Sequence, residues 1–118
     1  MNVELLLKVK EAIQAVPEKY DQSAFCGTAY CIAGYAVAIA EPRLWAAAQN
    51  KGFDGEQSVW HAAAELLDMP EEEYESLTDP ACCWPEPFAT KYMLADSDTD
   101  RAAAACGVID YFIARGER

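Results

Sequence analysis

Residues 26–42 read CGTAYCIAGYAVAIAEP, and almost every position in that run is small or apolar. Thr28 offers a side-chain oxygen to cap a helix, and Gly27 supplies the turn into it, so the stretch predicts a helix from Ala29 to Ala40. A helix that is apolar on every side is one its neighbours surround. Cys31, Gly34 and Ala38 recur three and four apart, forming a low ridge on which another backbone can pack closely. The alanines and the glycine argue against the alternative of a buried strand. The run is also too short to span a bilayer, which takes about 20 residues. It is the expected central helix.

Helical patterning continues on both sides. Asn2 is placed to cap a first helix running to Val16, with Leu6, Val9, Ile13 and Val16 on one stripe, and Pro17 stops it. Tyr20 and Phe25 then fall in a short turn at the edge of the core. Beyond the central helix, Pro42 opens a short helix to Asn50 anchored by Leu44 and Trp45, and Gly52 closes it. After an FDGE turn, Val59, Ala63 and Leu66 mark a helix over Gln57–Leu67, and Asp68 reads as the cap of a further one carrying Tyr74 and Leu77 inward. A helix from Phe88 to Ala95 follows the proline-rich 79–87 stretch. The last helix spans Thr99–Ala114, capped by Asp98 or Thr99, with Ala105, Cys106, Ile109, Phe112 and Ile113 inside and Gly116 at its end. The sequence therefore predicts an all-α fold: one acidic domain over residues 1–118, a compact orthogonal bundle of five to seven helices around the small-residue-rich one.

Composition bounds the function. The 118 residues are 53% hydrophobic, enough for a core, and 20 acidic against 9 basic residues give a net charge of −11. That surface repels phosphate backbones and anionic membranes, so neither nucleic acid nor a membrane is an expected partner. The N-terminal MNVELLLKVKEAI lacks the basic leader and long apolar run of a secretory signal. With an odd number of cysteines (26, 31, 82, 83 and 106), this points to free thiols in the cytoplasm.

The cysteines raise two chemistries. Cys26, Cys31, His61, Cys82 and Cys83 are the residues a metal would use, yet the spacings lack the two separated pairs of a structural zinc site, and adjacent cysteines seldom share one ion. A thiol nucleophile would be Cys31, near a helix N-terminus, with His61 as the sole available base. The Asp96–Asp100 run resembles the start of a calcium loop, but Arg101 stands where that loop needs glycine and Gly107 where it needs glutamate. No phosphate-cradling loop is present, and no cofactor is expected.

Charge distribution says more. Gly52 through Thr90 holds ten carboxylates and no Lys or Arg. Glu71, Glu72, Glu73 and Glu75 surround Tyr74, with Trp84 nearby among prolines; carboxylates would steer a basic partner and the two aromatics would anchor it.

The segments PEKYD (17–21) and CGTAYCIAGYA (26–36) resemble a pattern in small uncharacterised bacterial and phage helical proteins: a proline-containing aromatic turn, then Cys-Gly-Thr, two variable residues, and Cys-Ile-Ala-Gly with an aromatic. This chain has Tyr30 before the second cysteine, where members carry His or another residue, and Tyr35 where many have Trp. The resemblance implies a compact helical accessory protein and carries no activity with it. Taken together, the residues favour a small bacterium- or phage-encoded accessory domain that binds a protein with a basic surface. The alternative is a cysteine-dependent enzyme, or a metal- or ligand-binding protein using Cys31 and His61.

Overall fold

The structure, a computed structural model, describes residues 1–22, 31–49 and 51–116. Among them are seven α-helices: α1 (Val3–Ala15), α2 (Ile32–Ala40), α3 (Pro42–Ala48), α4 (Gly52–Leu67), α5 (Glu71–Thr78), α6 (Phe88–Met93) and α7 (Asp98–Gly116). Short 3-10 turns occupy Pro17–Lys19 and Ala81–Cys83. The described chain is all-α and holds no strand of a sheet. The expected roles of Phe25, Cys26, Gly27, Thr28, Ala29, Tyr30 and Asn50 lie outside the described residues.

Helix α1 forms as its sequence dictates. The Asn2 side chain accepts the Leu5 amide proton at 3.1 Å, and Leu5, Leu6, Val9 and Ile13 are buried. Asn2 also donates from its backbone N–H to the Leu67 carbonyl (2.8 Å) and from its side-chain amide to the Leu66 carbonyl (3.1 Å), so one residue fastens the start of α1 to the end of α4. Helix α2 is buried at every position from Ile32 through Val37 and emerges only in its last turn. It packs against α1, α3, α4 and α5, while α7 packs against α1, α5 and α6. Helix α1 therefore lies between two hubs, α2 and α7.

Four of the boundaries that differ from the sequence reading do so for a local reason. Helix α2 starts at Ile32 rather than Ala29, because Cys31 is extended and its Sγ accepts the Gly34 amide proton at 3.4 Å, serving as the cap. The FDGE segment is no turn but the first turn of α4; Gly52, at φ 54°, makes the bend ahead of it. Asp68 does not cap α5 but closes α4 in the left-handed conformation (φ 49°, ψ 49°), which a short polar side chain tolerates. Helix α7 is capped by Ser97, whose Oγ accepts the Asp100 amide proton at 3.1 Å, leaving Asp98 and Asp100 to line its positive end.

The least anticipated core residue is Gln22, 1% exposed. Its side-chain oxygen accepts from the Tyr20 hydroxyl (3.0 Å) and from the Ile32 N–H (3.2 Å) at the start of α2. Its amide nitrogen donates to the carbonyls of Thr78 (3.3 Å) and Asp79 (3.0 Å) at the end of α5, and its backbone N–H donates to the Tyr92 hydroxyl (3.2 Å) on α6.

Gly55 fixes the approach of α3 to α4. A Cβ there would lie 2.1 Å from the Ala48 carbonyl oxygen, a backbone atom with no rotamer to move. Gly55→Ala is expected to lower unfolding stability by about 1–3 kcal/mol or more through overpacking, measured by urea denaturation. An unchanged midpoint would mean that α3 and α4 do not meet at this contact.

Candidate functional site

The Cys31–His61 pairing does not assemble a nucleophile. The Cys31 side chain is 0% exposed and its sulfur is in a disulfide. This corrects the expectation that every thiol is free: Cys82, Cys83 and Cys106 are free, and Cys31 is not. A sulfur committed to a disulfide and to capping α2 has no thiolate to offer. His61 sits exposed on α4, edge-on to the Trp60 indole with ring centroids 5.5 Å apart. Among the described residues, no group of three or more His, Cys, Asp or Glu is arranged to hold a metal ion. Of the metal candidates, Cys26 lies outside the described residues.

The acidic face divides differently than its sequence suggested. Glu71, Glu72 and Glu75 are exposed, while Glu73 is half-buried and accepts a hydrogen bond from the Arg115 guanidinium at 3.4 Å. Tyr74, which the helical pattern turns inward, and Trp84 are both core residues, so neither is the exposed anchor that a docking role for this face requires. Helix α5 is short, and Tyr74 and Leu77 are the side chains that carry its inward face. The Tyr74 hydroxyl donates to the Trp60 carbonyl, and burial pushes its phenol well above the usual range. Trp84 donates from its indole N–H to the Leu77 carbonyl at 3.1 Å and meets the Tyr92 ring edge-on at 5.4 Å. Both aromatics fasten α5 and the 81–83 turn to the core, leaving the carboxylates outside without an apolar anchor of their own.

Exposed apolar surface lies elsewhere, at the joint between α6 and α7. Met93 is 64% exposed and Leu94 75%, more than any other large apolar side chain described. They stand between two hollows that share Ala95. The first, of about 440 Å³, has Tyr20, Tyr92 and Met93 in its wall and Glu18, Asp21 and Asp98 around it. Arg101, the one cation among the described lining residues, is bound to Asp98 at 2.7 Å. The second, of about 360 Å³, is lined by Phe88, Leu94, Ala103, Ala104 and Gly107, with Lys91 and Asp100 at its polar edge. Gly107 gives this hollow its form, since a Cβ there would stand 2.8 Å from the Phe88 ring. Sequence reading passed over the site: Met93-Leu94 occupies the last turn and cap of α6 and follows the helical pattern, so nothing marks these two side chains as outward.

No family model, curated protein or solved structure matches the chain. No helix among the described residues is long and apolar enough to cross a membrane.

The thiols should react in a graded order. Cys82 and Cys83 are exposed; Cys106 is buried, its thiol pushed up by desolvation, with its Sγ 3.8 Å from the Lys10 carbonyl. Mass-resolved labelling of native protein with a maleimide near neutral pH, without reductant, should modify Cys82 and Cys83 first. Cys106 should follow only as the structure opens, and Cys31 not at all. Fast labelling of Cys31 under those conditions would show that its disulfide does not form.

Proposed function

We propose that this chain is a protein-binding accessory domain that docks a basic segment of a partner, anchored by an apolar side chain, at the α6–α7 joint. The carrying observation is the adjacency of Met93 and Leu94, both outward, between two hollows, the larger of which is edged by Glu18, Asp21 and Asp98. Isolated exposed apolar residues are ordinary on any protein. A neighbouring pair beside concave surface offers more: covering each side chain is worth about 1.5–3 kcal/mol in transfer terms, and a hollow lets a partner side chain be enclosed as well. Glu18, Asp21 and Asp98 supply the complementary charge, and the net charge of −11 steers a cationic partner from a distance while repelling nucleic acid. The carboxylates of α5 add to that field, but with Tyr74 and Trp84 buried they act as steering charge, not as the anchor.

An accessory role also fits the likeness of residues 17–36 to small bacterial and phage helical proteins, which brings no activity with it. The cytoplasm remains the proposed location, because Cys82, Cys83 and Cys106 are free thiols.

Selection of random displayed peptides on the immobilised protein tests the reading. Enriched peptides should carry Lys or Arg around a large apolar residue. Their affinity should fall about tenfold or more in Leu94→Ser and Met93→Ser, whose exposed positions leave the fold intact, and should fall further as salt rises. Failure to enrich peptides, or binding indifferent to both substitutions in folded protein, would contradict it.

A further inference from the structure

The 81–83 turn carries a second feature, independent of the α6–α7 surface. Ala81 and Trp84 are buried at either end of the segment, and Pro80 and Pro85 flank it. The turn is closed by hydrogen bonds from the Cys83 N–H to the Pro80 carbonyl (2.8 Å) and from the Trp84 N–H to the Ala81 carbonyl (3.1 Å). Between those fixed ends, Cys82 and Cys83 are exposed and free, with their sulfurs 3.9 Å apart. Adjacent cysteines need not present their sulfurs together, but here the turn does so. Sulfurs held this close on exposed side chains can be bridged by one atom bonded to both after a small closing movement.

We propose that Cys82 and Cys83 form a two-thiol site for trivalent arsenic carried as an oxo or hydroxo compound. Two considerations favour that class over a divalent metal. A four-coordinate ion needs further protein ligands, and no third His, Cys, Asp or Glu joins the pair among the described residues. A cation also needs both thiols deprotonated, whereas the hydrogen bond and charge of Cys82, with Asp79 nearby, push the Cys83 thiol up. A trivalent arsenic oxide takes the protons away itself. Phenylarsine oxide and two thiols give a phenyl dithioarsenite and one water: two S–H bonds and the arsenic–oxygen bond break, two As–S bonds form, and arsenic stays trivalent. Once the first As–S bond exists, the second thiol closes the ring as an intramolecular step, which strengthens retention on the order of a hundredfold or more over a single thiol.

Intact-mass spectrometry of the full chain, purified without reductant and treated with phenylarsine oxide, tests the proposal. The expected result is one phenylarsenic group per chain that survives excess monothiol and is removed by a small dithiol. Cys106→Ser should retain it, and Cys82→Ser and Cys83→Ser should each lose it, or lose it to monothiol at least a hundredfold faster. Because both positions are exposed, circular dichroism should show both variants folded. No uptake by the wild type, loss of its adduct to monothiol, or a monothiol-resistant adduct in either single variant would overturn the assignment.

Discussion

A buried glutamine fastens the start of one helix to the end of another. The first N–H groups of a helix and its last carbonyls have no partner within the helix. In this fold the start of α2 and the end of α5 meet at one buried side chain. Gln22 answers both: its oxygen accepts from Ile32 at the start of α2, and its nitrogen donates to Thr78 and Asp79 at the end of α5. Tyr20 and Tyr92 complete the set, meeting each other edge-on with ring centroids 6.3 Å apart. Burying an amide without partners costs a few kcal/mol, so the residue is stable there only because every bond is made at once. That condition positions the N-terminus of α2, and α2 in turn positions α1, α3, α4 and α5. The same network sets Tyr20 and Tyr92 in the wall of the larger hollow, so the core and the proposed docking surface share one fastening.

Regular helices were the legible part of the sequence. The stripes of α1 and α7 and the all-round apolar character of α2 follow from periodicity, which burial against neighbours enforces. Two residues misled because their types serve opposite ends of a helix or opposite sides of a contact, and a third went unread. Asp68 has the chemistry of an N-cap, yet tolerance of the left-handed conformation lets it end α4 instead. Gly55 looks like a turn residue, but what it supplies is the missing Cβ beneath the Ala48 carbonyl. Gln22, polar and between an aromatic turn and a cysteine-containing segment, carries no local sign of burial, since apart from Tyr20 the partners described above lie 10 to 70 residues away along the chain.

The candidate site was less legible for a related reason. Charge runs are visible in sequence, but whether an aromatic among them faces out depends on what the rest of the helix must bury. Helix α5 is eight residues long and turns Tyr74 and Leu77 into the core. Met93 and Leu94 fall where α6 ends and the chain turns toward α7, past the point where a short helix can keep every apolar side chain inside. The acidic surface thus contributes long-range attraction, and the α6–α7 joint contributes the contact. Likewise, Cys31 is spent on structure while Cys82 and Cys83 are left to react, although all three are cysteines in short turns or helix starts.

Equilibrium urea denaturation of Gln22→Met tests the central claim most directly, because methionine keeps the volume and removes every side-chain hydrogen bond. The account predicts a loss of about 3 kcal/mol or more, from leaving the Ile32 N–H and the Thr78 carbonyl in the core without this partner. A loss under about 1 kcal/mol, the range of an ordinary surface substitution or a tolerated core swap, would contradict it.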